Sequence, residues 1–226
     1  MTRRCVWKCR RVFTIMGNWQ KGLVFMIAII DYDAGNLKSV GKALEHLGQE
    51  TIITRDREEI LSADKVILPG VGSFGDAMEK LHRFDLVETI RQVAAKGTPF
   101  LGICLGLQLL FRSSDESPGV EGLGIIDGEI VSIPPKEGYK IPHMGWNSIC
   151  ISEGSGLFAG VPQESYVYFV HSYYLRADNP EDVAARTNYI VDIDASVERG
   201  NVFACQFHPE KSGEVGLKIL QNFCEL

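Results

Sequence analysis

Two short segments carry residues able to do covalent chemistry. The first is Phe100-Leu-Gly-Ile-Cys104-Leu-Gly-Leu-Gln108-Leu-Leu-Phe111. An apolar run leads into Cys104, which has Gly102 two residues before it and Gly106 two residues after it, and a helical run follows. This is the cysteine form of the strand–elbow–helix device that G-x-S-x-G builds in hydrolases. The glycines let the chain turn sharply and let a substrate approach the backbone. A thiol at the start of the following helix is favoured as thiolate by the helix dipole. The second segment is Gln206-Phe-His208-Pro-Glu210. In an extended chain residues i and i+2 point the same way, and Pro209 pushes His208 toward that conformation. Glu210 is then placed to orient the imidazole, and His208 to take the thiol proton and return it to a leaving amine. The pair of segments reads as acyl transfer through a cysteine.

An acyl intermediate needs donors for its oxyanion. One is the backbone N–H of Leu105, directly after the nucleophile. The second is expected from the loop Pro69-Gly-Val-Gly72, where Gly70 and Gly72 let the N–H groups of Val71 or Gly72 turn into a site. A glycine-rich turn also suits phosphate, but the G-x-x-x-x-G-K-[ST] pattern is absent. Cys150, Cys205 and Cys224 lie in strand-like or apolar runs without a glycine bracket and read as small buried hydrophobes. Six cysteines without regular spacing make neither a disulfide framework nor a C-x-x-C metal pair. A reduced, cytoplasmic setting fits, with no metal and no cofactor called for.

These residues have to be positioned by a fold. At 226 residues, 45% hydrophobic and 23% charged, the chain fits one α/β domain. Apolar runs at Met26–Asp31, Glu50–Ile53, Lys65–Leu68 and Phe100–Ile103 read as strands. Helical patterns fall between them at Asn36–Leu47, Glu58–Ser62, Phe74–Leu81 and Phe84–Lys96. This alternation predicts a mostly parallel central sheet flanked by helices. From about residue 122 the pattern changes to shorter, partly antiparallel strands at Leu123–Pro134, Ser148–Ile151, Tyr166–Tyr174, Ala184–Thr187 and Ile193–Glu198. Asn201–Phe207 is a return strand and Gly213–Phe223 a closing helix. In open parallel sheets, sites form beyond the carboxyl ends of the strands. The Pro69–Gly72 loop, Cys104 and His208 each follow a strand, so all three are expected at one site.

Charge is uneven along the chain. Residues 1–25 hold six Lys/Arg and no acid, leaving 17 basic against 29 acidic residues, a formal charge of −12, in the remainder. The acidic body argues against nucleic-acid binding, and no apolar run has the length to cross a bilayer. Residues 1–25 read as a non-native or disordered extension, with Met26 opening the first strand and residues 26–226 forming the domain.

The residues resemble the class I, triad-type glutamine amidotransferases. Within them they are similar to the glutaminase subunits of imidazole glycerol phosphate synthases. The resemblance runs from about Met26 to the C-terminus. It is carried by Asp31-Tyr-Asp-Ala-Gly-Asn-Leu37, Pro69-Gly-Val-Gly-Ser-Phe-Gly75, Gly102-Ile-Cys-Leu-Gly-Leu-Gln108, His143-Met-Gly-Trp-Asn147, Phe169-Val-His-Ser-Tyr173 and Gln206-Phe-His-Pro-Glu-Lys-Ser212. Ala34 stands where a glycine is frequent. The resemblance implies a flavodoxin-like fold and glutamine hydrolysis through a Cys104 thioester, with His208 and Glu210 completing the triad. It implies that Gln108 and the backbone near Gly72, Ser172 and Tyr173 hold L-glutamine. It further implies a (β/α)₈ cyclase subunit that receives the ammonia in histidine biosynthesis, with Asn36, Trp146, Tyr168 and Lys211 at or near its interface. Activity is then expected to depend on the liganded partner, with the Gly70–Gly72 loop holding two peptide orientations. The open alternatives are amidotransferases of other pathways, a stand-alone γ-glutamyl hydrolase, and a catalytically inert binding module. Partner-dependent turnover separates the hydrolase, and labelling by a thiol-reactive glutamine analogue separates the inert module.

Overall fold

The computed structural model describes residues 26–226, and the basic segment expected as an extension, residues 1–25, lies outside them. Four strands and four helices alternate through the first half: β1 (Met26–Ile30), α1 (Leu37–His46), β2 (Glu50–Thr54), α2 (Arg57–Ser62), β3 (Lys65–Gly70), α3 (Phe74–Arg83), α4 (Leu86–Lys96) and β4 (Phe100–Cys104). The second half holds α5 (Leu105–Gln108), β5 (Gly128–Ser132), β6 (His143–Ile151), β7 (Ser165–His171), β8 (Tyr173–Ala177), β9 (Val183–Tyr189), β10 (Val191–Arg199), β11 (Val202–Cys205) and α6 (Gly213–Glu225).

The strands run β2-β1-β3-β4-β11-β10-β9-β6-β7, with β8 bridging β10 to β5. The first five are parallel, in the order of a flavodoxin-like sheet, and the rest are antiparallel. The parallel strands inside the sheet, β3, β4 and β11, are buried on both faces, as helices on either side require. Ile27, Ile29, Ile67, Leu101 and Ile103 pack with Val40 and Leu44 of α1 and Ile219 and Phe223 of α6. Ala28, Ile30, Val66, Leu68 and Phe100 face α2, α3 and α4, through Ile60, Met78, Leu81 and Ile90 among others. Local chemistry sets several boundaries. Asp56 and Ser73 cap α2 and α3 by accepting from backbone N–H groups, and Gly97 ends α4 in the left-handed region at φ 85°.

Three expectations are corrected. The segment Tyr166–Tyr174 is two strands, because the chain leaves its pairing with β6 at Ser172, whose carbonyl accepts from Ile133 N–H, and then pairs with β5. In Leu123–Pro134 only Gly128–Ser132 is a strand. Leu123 and Ile125 spend their N–H groups on the carbonyls of Leu109 and Leu110 after α5. The helical run after Cys104 is a single four-residue turn. Its dipole is correspondingly small, so the setting of the thiol has to come from its side-chain neighbours. Among the described residues, no helix is long and apolar enough to cross a membrane.

Candidate active site

The elbow is built by steric necessity. Cys104 ends β4 at φ 56°, ψ −108°, a region that costs a non-glycine residue about 1–3 kcal/mol. A Cβ on Gly106 would stand 1.8 Å from the Leu68 carbonyl oxygen, and one on Gly102 would stand 2.8 Å from that of Gly106. The turn therefore packs directly on β3, and both bracketing positions exclude a side chain. Register places Gly70 opposite Cys104 and Cys205 opposite Ile103. The glycine loop, Cys104 and the segment carrying His208 thus emerge side by side.

His208 is fully buried and adopts the extended conformation its proline demands, φ −101°, ψ 96°. Its N–H donates to the Tyr168 carbonyl, and its own carbonyl accepts from Ser212 Oγ. Glu210 does not follow on an extended chain as expected, since Pro209–Lys211 forms a 3₁₀ turn. The turn nevertheless brings Glu210 Oε1 to 2.8 Å from His208 Nδ1, with both side chains closed to solvent. The other ring nitrogen, Nε2, is buried without a hydrogen-bond partner. Burial opposes the imidazolium, but Cys104 and Glu210 outweigh it and push the His208 pKa up to about 9. The ring is held by Glu210 at one nitrogen, and Cys104 is the first of the two neighbours that favour its protonated form.

A cavity of about 390 Å³ opens over these groups, within the usual range for small-ligand sites. Val71, Gly72, Cys104, Leu105, Gln108, Ser172, Tyr173 and His208 line it, together with His171 and Glu116. The structure thus gathers every expected nucleophile, base, oxyanion and substrate residue except Glu210, which stands behind His208. Leu105 opens α5, so its N–H has no partner within that helix. The freedom expected of the glycine loop belongs to Gly72, at φ 104° with open space around it. Gly70 is enclosed: a Cβ there would lie 2.4 Å from Tyr32 Oη and 2.9 Å from Leu105 Cβ.

The four residues expected at a partner surface divide. Trp146 is 55% exposed and sits across the β6–β7 ribbon from Tyr168, ring to ring at 6.2 Å. Lys211 is exposed, next in sequence to Glu210. Asn36 is half-buried and donates from Nδ2 to Glu210 Oε1 at 2.5 Å. Cys150, expected to be buried, is exposed on β6, whereas Cys205 and Cys224 are buried and all four described cysteines are unpaired.

Reading by residue type passed over Gln206. It is fully buried, and its Nε2 lies 3.7 Å from Cys104 Sγ. Its Oε1 accepts from Gln108 Nε2 at 3.0 Å. Its place two residues before His208 on a return strand was the available signal. Tyr32, buried beneath Gly70 with an unpaired hydroxyl, had no such signal.

The glutamine amidotransferase class-I family model matches residues 28–226, and the chain belongs to that family. Solved structures share the fold. A glutamine amidotransferase crystal structure aligns at TM-score 0.70 and 19% identity over 88% of this chain and 97% of that one. PurLQS from Thermotoga maritima aligns at TM-score 0.70 and 22% identity over 90% and 99%. Much closer in sequence is imidazole glycerol phosphate synthase subunit HisH of Methanocaldococcus jannaschii, 51% identical over 89% of this chain and 100% of its own length. That of Methanothermobacter thermautotrophicus is 52% identical over 89% and 98%, and that of Bacillus cereus 52% over 88% and 93%. Within the class, the chain belongs to this HisH family.

Proposed function

We propose that this chain is the glutaminase subunit of an imidazole glycerol phosphate synthase and that Cys104, His208 and Glu210 are its catalytic triad. The observation that carries the assignment is the buried His208, tied to Glu210 through Nδ1 and raised in pKa by the Cys104 sulfur. The thiolate attacks the side-chain amide carbon of glutamine. The resulting oxyanion is held by the Leu105 N–H and by an N–H of Val71 or Gly72. Protonated His208 gives its proton to the departing nitrogen as the C–N bond breaks, releasing ammonia and leaving a glutamyl thioester. Water gives a proton to His208 as its oxygen attacks the thioester; the C–S bond breaks, glutamate leaves with its acid proton lost to solvent, and the thiolate again faces a protonated His208. Gln108 and the backbone of Gly72, Ser172 and Tyr173 hold the substrate glutamine, consistent with their place around the cavity.

Free ammonia protonates in water and stops being a nucleophile, so a receiving partner docked over the site fits the chemistry. The relatives are named as synthase subunits. The exposed Met144, Trp146 and Tyr166 beside Tyr168 make an apolar surface of the kind that marks an interface. We assign it to the (β/α)₈ cyclase subunit, which uses the ammonia to make imidazole glycerol phosphate and an aminoimidazole carboxamide ribotide. The unpaired cysteines suit a reduced, cytoplasmic setting. The test is glutamate release by the chain alone, with its cyclase, and with cyclase plus nucleotide ligand. Strong stimulation by the liganded partner, lost in Cys104→Ala, is expected. Full turnover without a partner would instead indicate a stand-alone glutaminase.

A further inference from the structure

Two buried histidines outside the triad, His143 and His171, lie in a hydrogen-bonded chain whose direction is set independently at each end. At the outer end, Asn147 has its amide orientation fixed by two backbone contacts. Its Oδ1 accepts from Ser148 N–H at 2.9 Å, and its Nδ2 donates to the Asn188 carbonyl at 3.0 Å. The same Nδ2 lies 3.3 Å from His143 Nε2, so that ring nitrogen is an acceptor and the His143 proton resides on Nδ1. His143 Nδ1 lies 2.9 Å from His171 Nε2, which must therefore accept. At the inner end, His171 Nδ1 lies 2.9 Å from the Tyr173 carbonyl oxygen. A carbonyl only accepts, so His171 is also protonated on Nδ1. Starting from either end gives the same two tautomers.

The chain does not stop at that carbonyl. The Tyr173 oxygen also accepts from Gln108 Nε2 at 3.1 Å, and Gln108 holds Gln206, whose amide meets the Cys104 sulfur. The ring plane of His143 is clamped as well, stacked on Tyr189 at 4.0 Å and on Phe169 at 4.8 Å. Both rings are neutral: burial lowers His143 to about 4 and His171 to about 3.

We propose that Asn147, His143 and His171 form a one-directional hydrogen-bond relay that positions the Tyr173 carbonyl and, through Gln108 and Gln206, the glutamine pocket and the Cys104 thiol. The three are positioning residues, since none touches the reacting atoms. This role rests on the glutamine reading above.

The test uses the full chain and two readouts. In nitrogen-15 spectra that report imidazole tautomers, both His143 and His171 are expected as Nδ1–H at neutral pH. An Nε2–H form of either ring overturns the relay. The second readout is the rate at which a chloroketone analogue of glutamine alkylates Cys104, compared with iodoacetamide, each followed by the mass of the Cys104 peptide. Asn147→Asp keeps the shape of a half-exposed side chain but replaces the donor with an acceptor, which forces His143 to protonate Nε2. Analogue labelling is expected to slow about tenfold, the loss of one buried hydrogen bond, with iodoacetamide labelling far less affected. His143→Asn, which keeps a donor near the Nδ1 position, is expected to retain most of the rate that His143→Gln loses. Equal behaviour of the Asn and Gln variants, or unchanged labelling in Asn147→Asp, overturns the positioning role. The tautomer spectra need no turnover. Failure of the glutamine reading, seen as wild-type protein labelled by iodoacetamide but not by the analogue, is thereby told apart from failure of the relay.

Discussion

Asn36 and Glu210 are 174 positions apart, yet Asn36 Nδ2 donates to the same carboxylate oxygen, Oε1, that holds His208 Nδ1. The left-handed backbone at Asn36, φ 73°, aims the amide at the carboxylate from the start of α1. Glu210 is thus fixed between two donors, and the imidazole is fixed through it. Asn36→Ala removes one charge-assisted bond, worth about 1.5–3 kcal/mol. A kcat roughly tenfold or more below wild type is expected from the same magnitudes, with KM for glutamine little changed. An effect confined to KM, measured with saturating partner, would contradict this.

Stability is expected to peak near neutral pH and fall on both sides, for opposite reasons. The His208 pKa is raised to about 9 from an unfolded value near 6.5, so its contribution is complete below about 6.5 and is lost as pH rises through 9. His143 and His171 are held neutral by burial down to about 4 and about 3. Below pH 6.5 the unfolded chain binds protons that these folded rings refuse, and stability drops as pH falls toward those values. Urea unfolding midpoints across pH 4–9 check this. Glu210→Gln should make the alkaline arm shallower while leaving the part due to Cys104, and a midpoint still rising from pH 7 to 9 in the wild type would refute the assignment.

Gly106→Ala should destabilise the protein severely. Its Cβ would sit 1.8 Å from a backbone oxygen of β3, where no side chain can rotate away. A cost at or above the upper end of about 1–3 kcal/mol for overpacking is expected, a fall in Tm of roughly 6–12 °C or more for a domain of this size. Thermal unfolding monitored by circular dichroism reads it directly.

Gly70→Ala and Tyr32→Phe should be coupled. The new methyl would lie 2.4 Å from the Tyr32 hydroxyl, which is buried and unpaired. Tyr32→Phe alone is expected to be neutral or mildly stabilising, because it removes an unsatisfied polar atom. In the double variant it should recover part of the Gly70→Ala loss, with a coupling of about 0.5 kcal/mol or more. Strictly additive unfolding free energies would show that the hydroxyl is not the obstacle.

Trp146→Ala tests the docking surface without touching the core. An exposed aromatic at the centre of an interface typically contributes about 2 kcal/mol or more to binding, whereas its removal from a free surface changes folding stability by less than about 0.5 kcal/mol. Affinity for the cyclase measured by calorimetry should fall tenfold or more while Tm of the isolated chain holds. Unchanged affinity would move the interface elsewhere.

The parallel half of the fold was legible because its signals are local. β1, β3 and β4 are short apolar runs, and the helices carry a stripe with a cap or a closing glycine, as at Asp56, Ser73 and Gly97. The elbow at Cys104 was equally plain, since Gly102 and Gly106 record a backbone-to-backbone contact. What stayed hidden depends on contacts between distant segments. The break at Ser172 is decided by which neighbour strand offers a partner, and the brevity of α5 by carbonyls that residues 122–126 come back to satisfy. The sequence places Asn36 at or near a partner interface and Gln206 in a return strand, and neither reading foretells their bonds to Glu210 and Gln108. An amide's role is set by what lies across the fold from it, which local spacing does not encode.

The β6–β7 ribbon has Met144, Trp146 and Tyr166 on one face and His143, Phe169 and His171 on the other. Because strand side chains alternate, a slip of one residue in one strand would carry its buried imidazole into water and its surface aromatic into the core. The exposed aromatic face and the buried imidazole face are therefore tied to one register, and neither can be re-registered by insertion or deletion without dismantling the other.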